Sequence, residues 1–124
     1  MPRSVTVVSS DPDLFDSVRT ALRTDPRFIG LDDLLHCDGS AAPLTNIYRV
    51  DMDPAEWEVW DSNGRNTPDP RAMSALIFEC RSPEWIAEVG RLLANRLAEP
   101  VWFVDSTDTA WPAGDVDPDR VALV

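Results

Sequence analysis

One histidine, His36, and two cysteines, Cys37 and Cys80, are the residues of this chain whose types suit covalent chemistry. A thiolate activated by an imidazole is the pair used in cysteine nucleophilic catalysis. Cys80 follows the apolar run Ala75-Leu76-Ile77-Phe78 and precedes Ser82-Pro83-Glu84. It therefore falls at a strand end just before a helix N-terminus, a place that lowers a thiol pKa. Cys80 and His36 are the candidate catalytic pair if the fold brings them together; a buried cysteine in a strand is the commoner role. His36, Cys37 and Asp38 also invite a zinc site. Zinc needs three or four ligands at defined spacing, and the chain has no C-x-x-C, no H-E-x-x-H and no second histidine, so no metal is expected. Asp115, Asp117 and Asp119 alternate like the start of a calcium loop, but Arg120 stands at the sixth position, where that loop needs glycine. A capped turn is expected there instead. No phosphate-binding, nucleophile-elbow or dinucleotide glycine pattern occurs, so no cofactor is expected.

Charge narrows the partners. The formal net charge is −11 over 124 residues, which disfavours a nucleic-acid backbone and favours a basic protein partner. All eleven basic residues are arginine. The absence of lysine excludes Schiff-base and P-loop lysine mechanisms and is in keeping with a GC-rich bacterial coding genome of the actinobacterial kind. The length suits one domain, 1–124, with one core. No apolar run reaches the length of a membrane span, and the N-terminal stretch does not read as a secretory signal. Two cysteines are too few for a disulfide framework, so reduced thiols in a cytoplasmic protein are expected.

The elements that must position these residues follow from hydrophobic periodicity. Strands are expected at 4–8, roughly 33–37, 47–52, 56–60, 75–80 and 101–104, and helices at 12–24 and 83–98. Residues 28–37 read equally as a strand or as a helical turn capped by Asp32, and Thr109-Ala110-Trp111 as a short returning strand. Both helices begin with a polar residue, a proline and an acid, Asp11-Pro12-Asp13 and Ser82-Pro83-Glu84, a strong N-terminal signal. An offset of 71 residues superposes the two strand–helix units, Val18 on Val89 and Leu22 on Leu93, and suggests pseudo-symmetry. Gly90 sits inside the second helix at a propensity cost of about 1 kcal/mol, which points to close approach of that helix to the sheet.

Residues 5–23, VTVVSSDPDLFDSVRTALR, resemble the opening of a response-regulator receiver domain. The resemblance implies a doubly wound sheet, a magnesium-binding acid at Asp11 and a phosphoacceptor at Asp51 or Asp53. Ser9 and Ser10 stand where further acids belong, and the receiver lysine has no counterpart, so it implies a degenerate, unphosphorylated relative.

Among five tryptophans, Trp85 and Trp102 fit the core, whereas Trp60 shares a strand face with Glu56 and Glu58. An exposed tryptophan beside acids has the profile of a contact hot spot, and these three are the expected partner-binding residues. The expected fold class is α+β: a ferredoxin-like two-layer sandwich with two helices on one face of a mainly antiparallel sheet, the doubly wound receiver-like fold being the alternative. The expected function is a non-enzymatic acidic interaction or regulatory domain, of adaptor or immunity type, with a basic protein partner and a homodimer as a further option. A small cysteine-dependent enzyme or ligand-binding domain, and a degenerate receiver-like signalling domain, are the alternatives.

Overall fold

The computed structural model describes residues 3–50, 74–107 and 109–123. In chain order the elements are β1 (Ser4–Ser9), α1 (Leu14–Leu22), β2 (Ile29–Gly30), β3 (Leu34–Cys37), β4 (Thr45–Arg49), β5 (Ser74–Glu79), α2 (Pro83–Arg96), β6 (Val101–Val104) and β7 (Ala110–Pro112), followed by a 3-10 turn at Ala113–Asp115. The strands form one seven-stranded sheet in the order β2-β3-β4-β5-β1-β6-β7, and every neighbouring pair is antiparallel. The fold is therefore α+β, and its sheet is larger than that of a ferredoxin-like sandwich. The antiparallel pairing overturns the doubly wound alternative, and with it the receiver-like layout, because parallel crossovers are what build that fold. The expected strand at 56–60, the residues Trp60, Glu56 and Glu58, and Asp51 and Asp53 lie outside the described residues. No helix among the described residues is long and apolar enough to cross a membrane.

Side-chain alternation along the strands divides the sheet into two faces. Val5, Val7, Leu35, Ile47, Leu76, Phe78 and Phe103 are buried with α1 and α2 in the main core. Helix α1 contributes Leu14, Phe15, Val18 and Leu22, and α2 contributes Trp85, Ile86, Val89 and Leu93. The opposite face carries the smaller cluster Val8, Val104 and Ala110, with Ala75 and Trp102 against it; Trp102 is thus half-buried on the side away from the helices.

The two strands that lead into helices, β1 and β5, lie side by side in the middle of the sheet. Thr6 faces Ile77, the residue onto which the offset of 71 carries it. The sequence relation therefore corresponds to a local two-fold axis through that pair. The helix starts are less alike. Ser82 caps α2, its hydroxyl accepting from the Trp85 amide at 3.2 Å, with Pro83 in the first turn. In the first unit the helix begins two residues after Pro12, and Asp11 does not cap it. Its carboxylate accepts from the Asp13 amide at 2.8 Å and the Ser17 hydroxyl at 2.5 Å, so the acid closes a turn before the helix.

Two close fits hold the second half together. The closest neighbour of Gly90 is the backbone carbonyl of Ala113, with the Phe103 ring behind it. The 3-10 turn after β7, more than the sheet itself, is what the missing side chain admits. The second fit is Asp105, a buried carboxylate. Its Oδ1 accepts from the amides of Thr107 and Thr109 and from the Thr107 hydroxyl at 2.8–3.1 Å. Its Oδ2 accepts from the Trp111 indole at 3.0 Å and the Ala122 amide at 3.1 Å. Burial alone would raise the Asp105 pKa, but the hydrogen bonds from Trp111, Ala122, Thr107 and Thr109 outweigh it and hold the carboxyl below its ordinary range.

A methyl group at Gly90 would overlap the Ala113 carbonyl, so Gly90→Ala is expected to cost about 1–3 kcal/mol despite the better helix propensity of alanine, measured by urea denaturation. Asp105→Asn sets an amide NH2 against two buried donors and is expected to cost about 2–4 kcal/mol. The native contribution of Asp105 is complete above its ordinary value of 3.8 and is lost as pH falls from there through the lower folded value. The variant should show a correspondingly flatter acid limb in a stability–pH series.

Candidate functional site

The residues singled out for chemistry meet at one end of the sheet, where β5 passes into α2. Cys37 pairs with Thr45 across β3 and β4, and the β4–β5 register, continued by one residue, sets Thr45 beside Cys80. Thr45 thus stands between the two thiols on the helix-bearing face. Its hydroxyl donates to the Pro43 carbonyl at 2.7 Å and accepts from the Trp85 indole at 2.9 Å. Strands are spaced by about 4.8 Å, so two cysteines separated by a whole strand exceed the ~7 Å limit for a disulfide. Both thiols are free and buried.

Position relative to α2 does not activate Cys80. Its sulfur accepts from the Ser82 amide at 3.3 Å, which favours a thiolate. Burial acts in the other direction and prevails, so the Cys80 pKa is raised above the ordinary thiol value. Burial likewise pushes Cys37 up to about 11. The expected lowering at the helix start is thereby reversed. His36 belongs to the other face of the sheet: it pairs with Asn46, which in turn pairs with Glu79, the residue before Cys80. Its Nδ1 lies 2.8 Å from Asn46 Oδ1. Alternation therefore puts the imidazole and the Cys80 thiol on opposite sides of the backbone, and the structure does not bring the candidate pair together.

Trp85 anchors the far side of this end. Its ring stacks on Phe28 with centroids 5.8 Å apart, and the Arg27 guanidinium lies over it at 4.6 Å. Arg27 also forms a two-point ion pair with Asp25 and reaches Glu88 at 3.0 Å. The hydrogen bonds from Arg27 hold the Asp25 carboxyl below its ordinary value. This network ties the loop before β2 onto α2.

Beside the thiol row a cleft of about 510 Å³ opens, lined by residues 43, 44 and 46, residues 79–82, and Arg3. The Arg3 carbonyl accepts the Cys80 amide at 2.9 Å, which fixes the start of β1 next to the β5–α2 junction. The β3–β4 connection reaches the cleft through a turn at Gly39, whose φ of +92° suits glycine. Leu44, at its end, is 61% exposed. Burial, together with the nearby Glu79 carboxylate, raises the Tyr48 pKa. Sequence reasoning found Cys80 and Ser82 here but missed Arg3, Leu44 and Asn46, which no local motif marks.

The acidic tail, by contrast, forms a turn. Asp117 Oδ1 accepts from the Asp119 amide at 2.9 Å and its carbonyl from the amides of Arg120 and Val121. Among the described residues, no group of three or more His, Cys, Asp or Glu side chains is placed to hold a metal ion.

Alkylation with iodoacetamide, followed by mass spectrometry, should find both cysteines slow to react at pH 8 in the folded protein and fast in urea. Because Cys37 has its folded pKa raised from 9.0 to about 11, its contribution to stability is complete below pH 9 and is lost as pH rises through 11. Cys37→Ala should therefore flatten the alkaline limb of the stability–pH curve. Compared with known proteins, the chain matches no family model, no curated protein and no solved structure.

Proposed function

We propose that the protein is an acidic interaction domain on a ferredoxin-like core, which takes an extended segment of a basic protein partner along β2. The order β4-β5-β1-β6, with α1 and α2 as the connections, follows a ferredoxin-like β-α-β-β-α-β path. The β2–β3 hairpin extends it on one side and β7 on the other. In this reading the protein works as an adaptor, regulator or immunity-type inhibitor in a bacterial cytoplasm, where its free thiols stay reduced.

The observation that carries the reading is the chemistry of the β2 rim. Ile29 and Leu31 are 48% and 51% exposed on and beside the terminal strand of the sheet, and a methyl group placed on Gly30 between them would meet no other atom within 4 Å. A terminal strand offers unpaired backbone groups to an added strand. Asp32 and Asp33 form the turn beside it and are exposed, Asp33 having a long 3.7 Å ion pair with Arg49. Apolar side chains next to acids, on a chain of net charge −11, favour a partner strand with apolar alternation and flanking lysine or arginine.

The test is selection from a random displayed-peptide library. Enriched peptides should be basic and alternating, should protect the amides of residues 29–31 from hydrogen exchange, and should lose binding to an Ile29→Asp, Leu31→Asp variant. Enrichment of acidic peptides, a footprint away from β2, or no enrichment would sink the reading.

A further inference from the structure

The cleft at the β5–α2 junction is independent of the β2 rim and has a chemistry of its own. Most described arginines are already engaged. Arg19, Arg27 and Arg49 are in ion pairs, Arg96 donates to the Ala21 carbonyl, and Arg120 lies against the Trp111 ring. Arg3, Arg23, Arg81 and Arg91 have no such side-chain partner among the described residues, and two of these four, Arg3 and Arg81, line this cleft. Both are exposed, and the Cys80 amide donating to the Arg3 carbonyl sets their backbones side by side. Asn46 is also in the lining, its Oδ1 paired with His36. The lining also contains one carboxylate, Glu79, the strand residue before Cys80. Pro43 and Leu44 supply an apolar wall.

The N-terminus of α2 is not the source of this site, since Ser82 already caps it. What recommends the cleft is its lining: Arg3, Arg81, Asn46 and the exposed Leu44 border one volume of the size that holds small ligands. Guanidinium recognises carboxylate and phosphate through paired hydrogen bonds, and an apolar group on the same molecule would cover Leu44.

We propose that this cleft binds a small amphiphilic anion, with its carboxylate or phosphate head on Arg3 and Arg81 and its apolar part against Pro43 and Leu44. Amide chemical shifts of the isotope-labelled protein, followed by NMR during titration with octanoate and separately with octyl phosphate, distinguish the two head groups. At least one should give saturable shifts at residues 44–46 and 79–82. Binding should weaken about tenfold or more in an Arg3→Gln, Arg81→Gln variant, and also in Leu44→Ser, while octylammonium should not bind and inorganic phosphate should bind more weakly than octyl phosphate. These exposed substitutions leave the core intact, and circular dichroism checks that they do. Equal binding of octylammonium, undiminished binding by the double-arginine variant, or no saturable shift with either anion would overturn the proposal.

Discussion

The pairing of β1 with β5 is the constraint on which the rest of the architecture depends. Six residue pairs, from Ser4–Glu79 to Ser9–Ser74, join two strands that are distant in sequence and central in space. Each strand feeds a helix onto the same face, so the pairing sets the positions of α1 and α2 at once. Val5, Val7, Leu76 and Phe78, buried beneath those helices, fix its register, since a slip of one residue would turn the pair on the shifted strand to the other side. The local two-fold axis at Thr6 and Ile77 expresses this geometry: one strand–helix unit is packed against its own near-copy.

That register also governs what chemistry the protein can do. It carries Cys80 to the helix-bearing side and, through β4 and β3, leaves His36 on the reverse side. It brings Arg3 level with Cys80 and so gathers Arg3 and Arg81 at one mouth. The thiols are enclosed where an anion is costly, whereas Arg3 and Arg81 are exposed at the cleft. Burial, more than position along the helix axis, decides which of these groups is reactive.

Much of the architecture was legible because strong local grammar coincided with long-range order. Ser82-Pro83-Glu84 marked α2, and four successive apolar residues at 75–78 marked a central strand. The offset of 71 residues found the symmetry. Where local and distant demands parted, the reading failed. Pro12 suggested a helix start that Asp11 delays by bonding Asp13 and Ser17. Ile29-Gly30 is too short for alternation to show, so the sheet proved wider than expected. Gly90 announced a close approach to the sheet, whereas the nearest neighbour is the Ala113 carbonyl of the 3-10 turn. The cleft was invisible for a similar reason: Arg3, Leu44 and Arg81 are far apart in the chain and belong to no motif. The receiver-like opening illustrates the converse, a strand–helix start that two unrelated topologies share.

The two rims of the sheet differ in kind. On one side β7 ends at Pro112, which has no amide to donate, and the chain turns at once into the 3-10 segment lodged against Gly90. On the other side β2 is the last strand among the described residues, and Ile29 and Gly30 are exposed. Under the proposed strand addition, growth would be one-directional. If two molecules met rim to rim through β2, both remaining ends would be blunted ones, and the assembly would terminate as a closed pair without propagating into a fibre.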